Sequence, residues 1–260
     1  MVDTQTASAA PSATPAIPLF EMQGICKRYG GVQALNDAQL TIYPAEIHAL
    51  VGDNAAGKSS LIKVLSGAVL RDGGTIRKNG AEVDIRSPRD AKRLGIETVY
   101  QDLALCDNLD VPSNIFMGRE LTMGGNGPFL DLKRMESESK TLLARLKINM
   151  PSVRQLVSGM SGGQRQCVAI ARAVYFDAQV VILDEPTAAL GVQETAKVNA
   201  LIREMRDQGL SVILISHNLR HVFDLCDRIS VLKTGRFVGS RRTSETTQDE
   251  ILRMIVTGEA

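Results

Sequence analysis

Residues 46–67 read EIHALVGDNAAGKSSLIKVLSG. Ile47 to Val51 is apolar at nearly every position, the pattern of a strand covered on both faces. GDNAAGKS, Gly52 to Ser59, follows it and fits G-x-x-x-x-G-K-[ST]. Beyond it apolar residues recur at helical spacing to Leu65, and Gly67 stops the helix. Strand, glycine loop and helix, in that order, form the setting in which this motif cradles phosphate. Loop N–H groups wrap the phosphates, and the helix N-terminus adds partial positive charge. Lys58 is placed to neutralise β- and γ-phosphates, and the Ser59 hydroxyl to ligate Mg²⁺.

A second apolar strand, VVILDE from Val180 to Glu185, ends in two carboxylates. It and SVILISH (Ser211 to His217) flank the helical stretch VQETAKVNALIREMRDQG, a strand-helix-strand unit of a parallel sheet. Ligands bind at the C-terminal ends of such strands. Asp184 is placed there to hold Mg²⁺ through a water, and Glu185 to orient and deprotonate an attacking water. An acidic pair simply facing solvent is the plain alternative; beside a phosphate loop the functional reading is favoured.

The remaining sequence sets bounds. The chain has 260 residues, 44% hydrophobic and 23% charged, which is ordinary for a globular protein with a sizeable core. A net charge of +1 leaves no strong nucleic-acid or anionic-membrane footprint. There is no run of ~20 apolar residues to span a bilayer. Cys26, Cys106, Cys167 and Cys226 are far apart and contain no C-x-x-C pair, so reduced, packed thiols are expected. Residues 1–18 are small, polar and Pro-containing, a disordered tail rather than a signal peptide. FEMQGIC alternates weakly and AQLTIY alternates apolar and polar, as strands do, and Asn79-Gly80 marks a hairpin. Ser87 with Pro88 opens a helix. Asp102 to Gly159 reads as a mostly helical insertion around LKRMESESKTLLARLKI, with MGGNGP (Met123 to Pro128) a solvated loop. Thr247 to Glu250 fits a capping box.

SGMSGGQRQ, Ser158 to Gln166, looks like a second phosphate element. Its core resembles the LSGGQ signature of the ATP-binding cassette (ABC) ATPases, with Met160 for the usual leucine and Ser161, Gly162, Gly163 and Gln164 matching. Further motifs follow in that family's order from about Phe20 to the C-terminus. Tyr29 in KRYGG matches the aromatic that stacks on adenine. Gln101 in VYQD matches the glutamine linking Mg²⁺ to the helical subdomain, and His217 in ISHN the histidine on the γ-phosphate. His48 and His221 match nothing and read as structural.

The resemblance implies an α/β P-loop NTPase core with a parallel sheet, an N-terminal antiparallel β subdomain and an α-helical subdomain inserted at about 102–160, the ATPase domain spanning 19–260. It implies ATP bound by Tyr29, Gly52, Asp53, Asn54, Ala55, Ala56, Gly57, Lys58, Ser59 and Ser60, with Mg²⁺ at Ser59, Gln101 and Asp184. Lys58, Gln101, Glu185 and His217 would be catalytic. Ser161 to Gln164 would cap the ATP of a second copy, sandwiching two nucleotides in a head-to-tail homodimer. SNIFMGRE and EPTAALGVQE resemble the ATPases of bacterial monosaccharide importers of the ribose, xylose and fructose type. That implies a peripheral subunit on the cytoplasmic face of the inner membrane, docked on a permease served by an extracytoplasmic sugar-binding protein, with no nucleic-acid partner. Alternatives are a soluble ABC ATPase acting on ribosomes or DNA, and a nucleotide-binding module that does not hydrolyse. Two positions depart from the family pattern. Ala55 stands where glycine is usual; if φ is positive there, alanine costs ~1–2 kcal/mol, about tenfold in affinity. Gly191 stands where an aspartate normally contacts the other subunit near its P-loop.

Overall fold

The computed structural model of the protein describes residues 17–125 and 127–260. The proposed tail therefore falls outside the described residues as far as residue 16, and so does Asn126 of the MGGNGP loop. Two sheets carry the fold. The first is antiparallel, in the order β2-β1-β4-β5, from β1 (Phe20–Tyr29), β2 (Val32–Ile42), β4 (Gly73–Lys78) and β5 (Ala81–Val83). β4 and β5 meet at the expected hairpin, with φ of 49° at Asn79 and 81° at Gly80. A turn with both central residues at positive φ matches the twist of the flanking strands.

The second sheet runs β10-β9-β3-β8-β7-β6. Its strands are β3 (Ile47–Val51), β6 (Ile96–Val99), β7 (Val180–Asp184), β8 (Ser211–Ile215), β9 (Arg228–Lys233) and β10 (Arg236–Arg242). All pairings are parallel except β9 with β10. β3, β7 and β8 are apolar at nearly every position because both faces are covered. Val180, Ile182, Ile213 and Leu50 pack with the antiparallel sheet and α1 (Lys58–Leu65). Val181, Leu183, Val212 and Ala49 pack on the other side, with α5 (Gly162–Tyr175) and α6 (Val192–Asp207). Fully burying one such aliphatic side chain is worth ~1.5–3 kcal/mol, so a polar residue at Ile182 or Val181 would break one of the two layers.

The inserted region is less helical than its composition suggests. Between 102 and 160 the α-helices are α3 (Val111–Ile115) and α4 (Leu132–Arg145); the rest is turn and irregular chain. Positive φ at Gly118, Gly124 and Gly125 interrupts helical continuity. α4 turns Met135, Leu142 and Leu143 into the core. Asn114 is fully buried and secures the loop before α3. Its side chain accepts from the Cys106 N–H at 2.7 Å and donates to the carbonyls of Cys106 and Asp110.

Of the two helix starts expected from sequence, one forms as expected and one only in part. α2 (Pro88–Arg93) is capped as expected, Ser87 accepting from the Asp90 N–H. At α8 (Gln248–Thr257) only half of the box forms: Thr247 accepts from the Glu250 N–H, but the Glu250 carboxylate takes hydrogen bonds from Thr246 and Arg241 instead. The complete capping box is at α5, between Ser161 and Gln164.

Candidate nucleotide-binding site

The loop between β3 and α1 lies at the C-terminal edge of the parallel sheet, as the crossover of a strand into a helix requires. Gly57, the residue before α1, has φ 98°, and a Cβ there would sit 2.8 Å from the Ala34 carbonyl oxygen, so only glycine fits. The Ala56 N–H closes a turn onto the Asp53 carbonyl at 3.0 Å. Ala55 has φ 67°. The condition attached to that departure is therefore met: an alanine holds the left-handed conformation. The Lys58 ammonium donates to the carbonyls of Gly52 and Asp53 at 2.7 and 2.9 Å, which aims it along the loop.

β7 runs parallel beside β8 and delivers the two carboxylates to the same edge. Asp184 ends the strand. Glu185 follows with φ 49°, its N–H donating to the Ile215 carbonyl at 3.0 Å. A non-glycine residue held there stores strain of the kind found at functional sites. One Glu185 oxygen accepts from the His217 N–H at 3.1 Å and meets His217 Nδ1 at 2.8 Å. His217 itself is exposed, with 77% of its side-chain surface free, so its other ring nitrogen is open to a ligand.

These groups share one cleft of about 710 Å³. It is lined by the loop from Asn54 to Ser60, by Gln101, Asp184, Glu185 and His217, and at its mouth by Tyr29. Gly52 and Asp53 lie behind the loop, against Ser216 and His217. Tyr29 ends β1 with its ring exposed, and the Lys27 ammonium lies 5.6 Å from the ring centroid. Two charges in the cleft carry adverse shifts. Burial pushes the Lys58 ammonium below its ordinary pKa, with Glu185, Asp53 and Asp184 pulling it partly back. Burial pushes the Asp184 carboxyl up, Glu185 adds to this, and Lys58 partly offsets it. Opposed shifts in one cleft mark a site arranged for a ligand rather than for stability. Ser59, Gln101 and Asp184 offer an all-oxygen donor set, which suits a hard cation carried on phosphate.

The signature stands elsewhere. None of Ser161, Gly162, Gly163 and Gln164 lines the phosphate-loop cleft; Ser161, Gly163 and Gln164 line a separate cavity of about 420 Å³. Ser161 is the N-cap of α5, accepting from the Gln164 N–H, while the Gln164 side chain accepts from the Ser161 N–H at 3.0 Å. That reciprocal pair is readable in S-G-G-Q as a capping box. Arg172, three turns along α5, carries no sequence signal. Its guanidinium donates to the carbonyls of Leu103 and Ala104 at 2.6 and 2.8 Å, tying the signature helix to the segment after Gln101. His48 is fully buried between Glu46 and Ser230, and His221 bonds Asn199 at 2.7 Å. Neither lines the cleft.

Comparison with known proteins identifies the family. Residues 35–188 match the family model described as ABC transporter. The xylose/arabinose import ATP-binding protein XylG of Sulfolobus acidocaldarius is 45% identical over 237 residues, 91% of this chain and 93% of that protein. The fructose import ATP-binding protein FrcA of Rhizobium meliloti is 48% identical over 224 residues, 84% of this chain and 86% of that protein. A crystal structure of a nucleotide-free ATP-binding cassette from an ABC transporter superposes with a TM-score of 0.77 at 20% identity, covering 92% of this chain and 95% of that one. The chain belongs to the ABC transporter family, among its ATP-binding, ATP-hydrolysing subunits.

Proposed function

We propose that this chain is the ATPase subunit of a simple-sugar importer, working as a head-to-tail homodimer on the cytoplasmic face of a membrane permease fed by an extracytoplasmic sugar-binding protein. The observation that carries the homodimer is the separation of the two phosphate elements. The loop of Gly52–Ser60 and the signature of Ser161–Gln164 face different cavities of one chain. A nucleotide touching both must lie between two copies. The sugar class rests on the names of the two relatives above.

Within each cleft the roles follow from chemistry. Lys58 and the loop N–H groups bind the phosphates, and Tyr29 offers a face to the base. Mg²⁺, held by Ser59 and Asp184 with Gln101 beside them, would stabilise charge on the transferred phosphoryl group. Glu185 takes the proton of the attacking water while His217, bonded to it, holds its carboxylate in place. Among the described residues no helix is long and apolar enough to cross a membrane, so the permease must be reached by docking. A groove of about 490 Å³ fits that need. It runs between insertion and core, from Tyr100 and Ala104 to Met117 and Phe176. Arg172 then gives docking a path to the signature helix. The test is Glu185→Gln. It should bind Mg-ATP, persist as a dimer with ATP on a sizing column, and hydrolyse at least ~100-fold more slowly. Near-normal turnover would remove Glu185 from the chemistry.

A further inference from the structure

An anion supplied by the chain itself lies beside the signature. Glu194 lies in the first turn of α6, facing the first turn of α5. Its side chain runs along the paired glycines. A Cβ at Gly163 would sit 2.9 Å from Glu194 Cβ, 3.2 Å from Cγ and 3.4 Å from Cδ; a Cβ at Gly162 would sit 3.9 Å from Oε2. Gly163 thus leaves the space the glutamate occupies, while Gly162 makes room for Leu190, whose Cδ2 would lie 2.9 Å from a Cβ there. Its carboxylate shares a cavity with Ser161, Gly163 and Gln164, and the nearby Ser161 hydroxyl, with the backbone N–H groups of Gly163 and Gly191, holds it below the ordinary glutamate pKa. It is ionised at neutral pH at the positive end of α5, where an anion is favoured.

On the reading that Ser161 to Gln164 cap a second copy's ATP, the γ-phosphate needs the same donors. Two anions cannot share them. We propose that Glu194 is a positioning residue that holds the signature seat in the unpaired chain, so that nucleotide sandwiching is a displacement and Glu194 sets the ATP concentration at which the dimer closes. The loop 186–191 joins Glu194 to the catalytic Glu185 of the same chain. Displacement at one site therefore pulls directly on the loop leading to the other.

The experiment uses the Glu185→Gln protein, in which closure is read apart from turnover. ATP is titrated while dimer is followed by light scattering, with and without Glu194→Gln. Glutamine keeps the shape and removes the charge. The midpoint should fall at least about threefold, with ATP affinity of the dilute monomer unchanged, because Glu194 does not line the phosphate-loop cleft. A residue that merely braces α5 against α6 would instead lower the melting temperature and leave the midpoint equal or higher. Either midpoint result overturns the proposal. If Glu185→Gln shows no ATP-dependent dimer at all, the sandwich reading fails instead, and the two failures are told apart by that control.

Discussion

Ala55 holds φ 67° with a Cβ, in a loop where the neighbouring Gly52 and Gly57 also have positive φ. Left-handed alanine costs ~1–2 kcal/mol, while glycine returns ~0.5–1 kcal/mol of that to the unfolded chain. Ala55→Gly is therefore expected to raise the melting temperature slightly and to tighten ATP by at most about tenfold. ATP titration and a thermal melt of both proteins measure this; weaker binding with a lower melting temperature would show that the loop does not carry the strain. Asp184 makes the opposite kind of prediction. Its folded pKa is raised, so between the ordinary carboxylate value and the raised one the folded chain keeps a proton that the unfolded chain has released. Stability from this group is full below the ordinary value and is lost as pH rises through the raised one. Asp184→Asn removes that loss. It should melt higher than the wild type at about pH 7.5, with the gain vanishing towards about pH 4, while hydrolysis is lost. A gain that is flat across this range would assign the stabilisation to something other than the charge. These residues were legible early, because loop chemistry and strand-end carboxylates are local. Glu194 was not: Gly163 and Glu194 are neighbours only because α5 and α6 pack together.

At the level of elements, sequence periodicity located β3, α1, β7, α6 and β8, since each buries a continuous run or one helical face. It did not give the order β10-β9-β3-β8-β7-β6, because strand neighbours are fixed by long-range pairing rather than by local pattern. The insertion misled for a related reason. The amphipathic LKRMESESKTLLARLKI suggests helix for the whole insertion, whereas glycine punctuation and the buried Asn114 hold much of it as loop. Asn114→Ala should be severe: it strips the Cys106 N–H and carbonyls of their partner in a fully buried place. Each buried group left unsatisfied costs ~1–3 kcal/mol. Thermal denaturation is the check, and a loss under ~0.5 kcal/mol would mean water replaces the amide. Arg172→Ala tests the tie between α5 and the segment after Gln101. Basal ATPase should survive, while stimulation by a reconstituted permease should fall; unchanged stimulation would place the coupling elsewhere.

For the whole molecule the central claim is that two chains complete each other's sites. Lys58→Ala breaks the phosphate loop and keeps the signature. Ser161→Arg keeps the loop and puts a bulky cation on the signature. Each homodimer then has two broken sites. A mixed dimer has one site broken twice and one wholly intact, with the loop from the arginine variant and the signature from the alanine variant. The decisive measurement is ATP-dependent dimerisation of the mixed, differently tagged proteins, followed by hydrolysis, after subunit exchange has been confirmed. The account predicts that two inactive proteins together regain ATP-dependent dimer and some turnover. No rescued dimer and no rescued hydrolysis, with exchange demonstrated, would contradict it, since only elements acting on their own chain's nucleotide leave every mixture without an intact site.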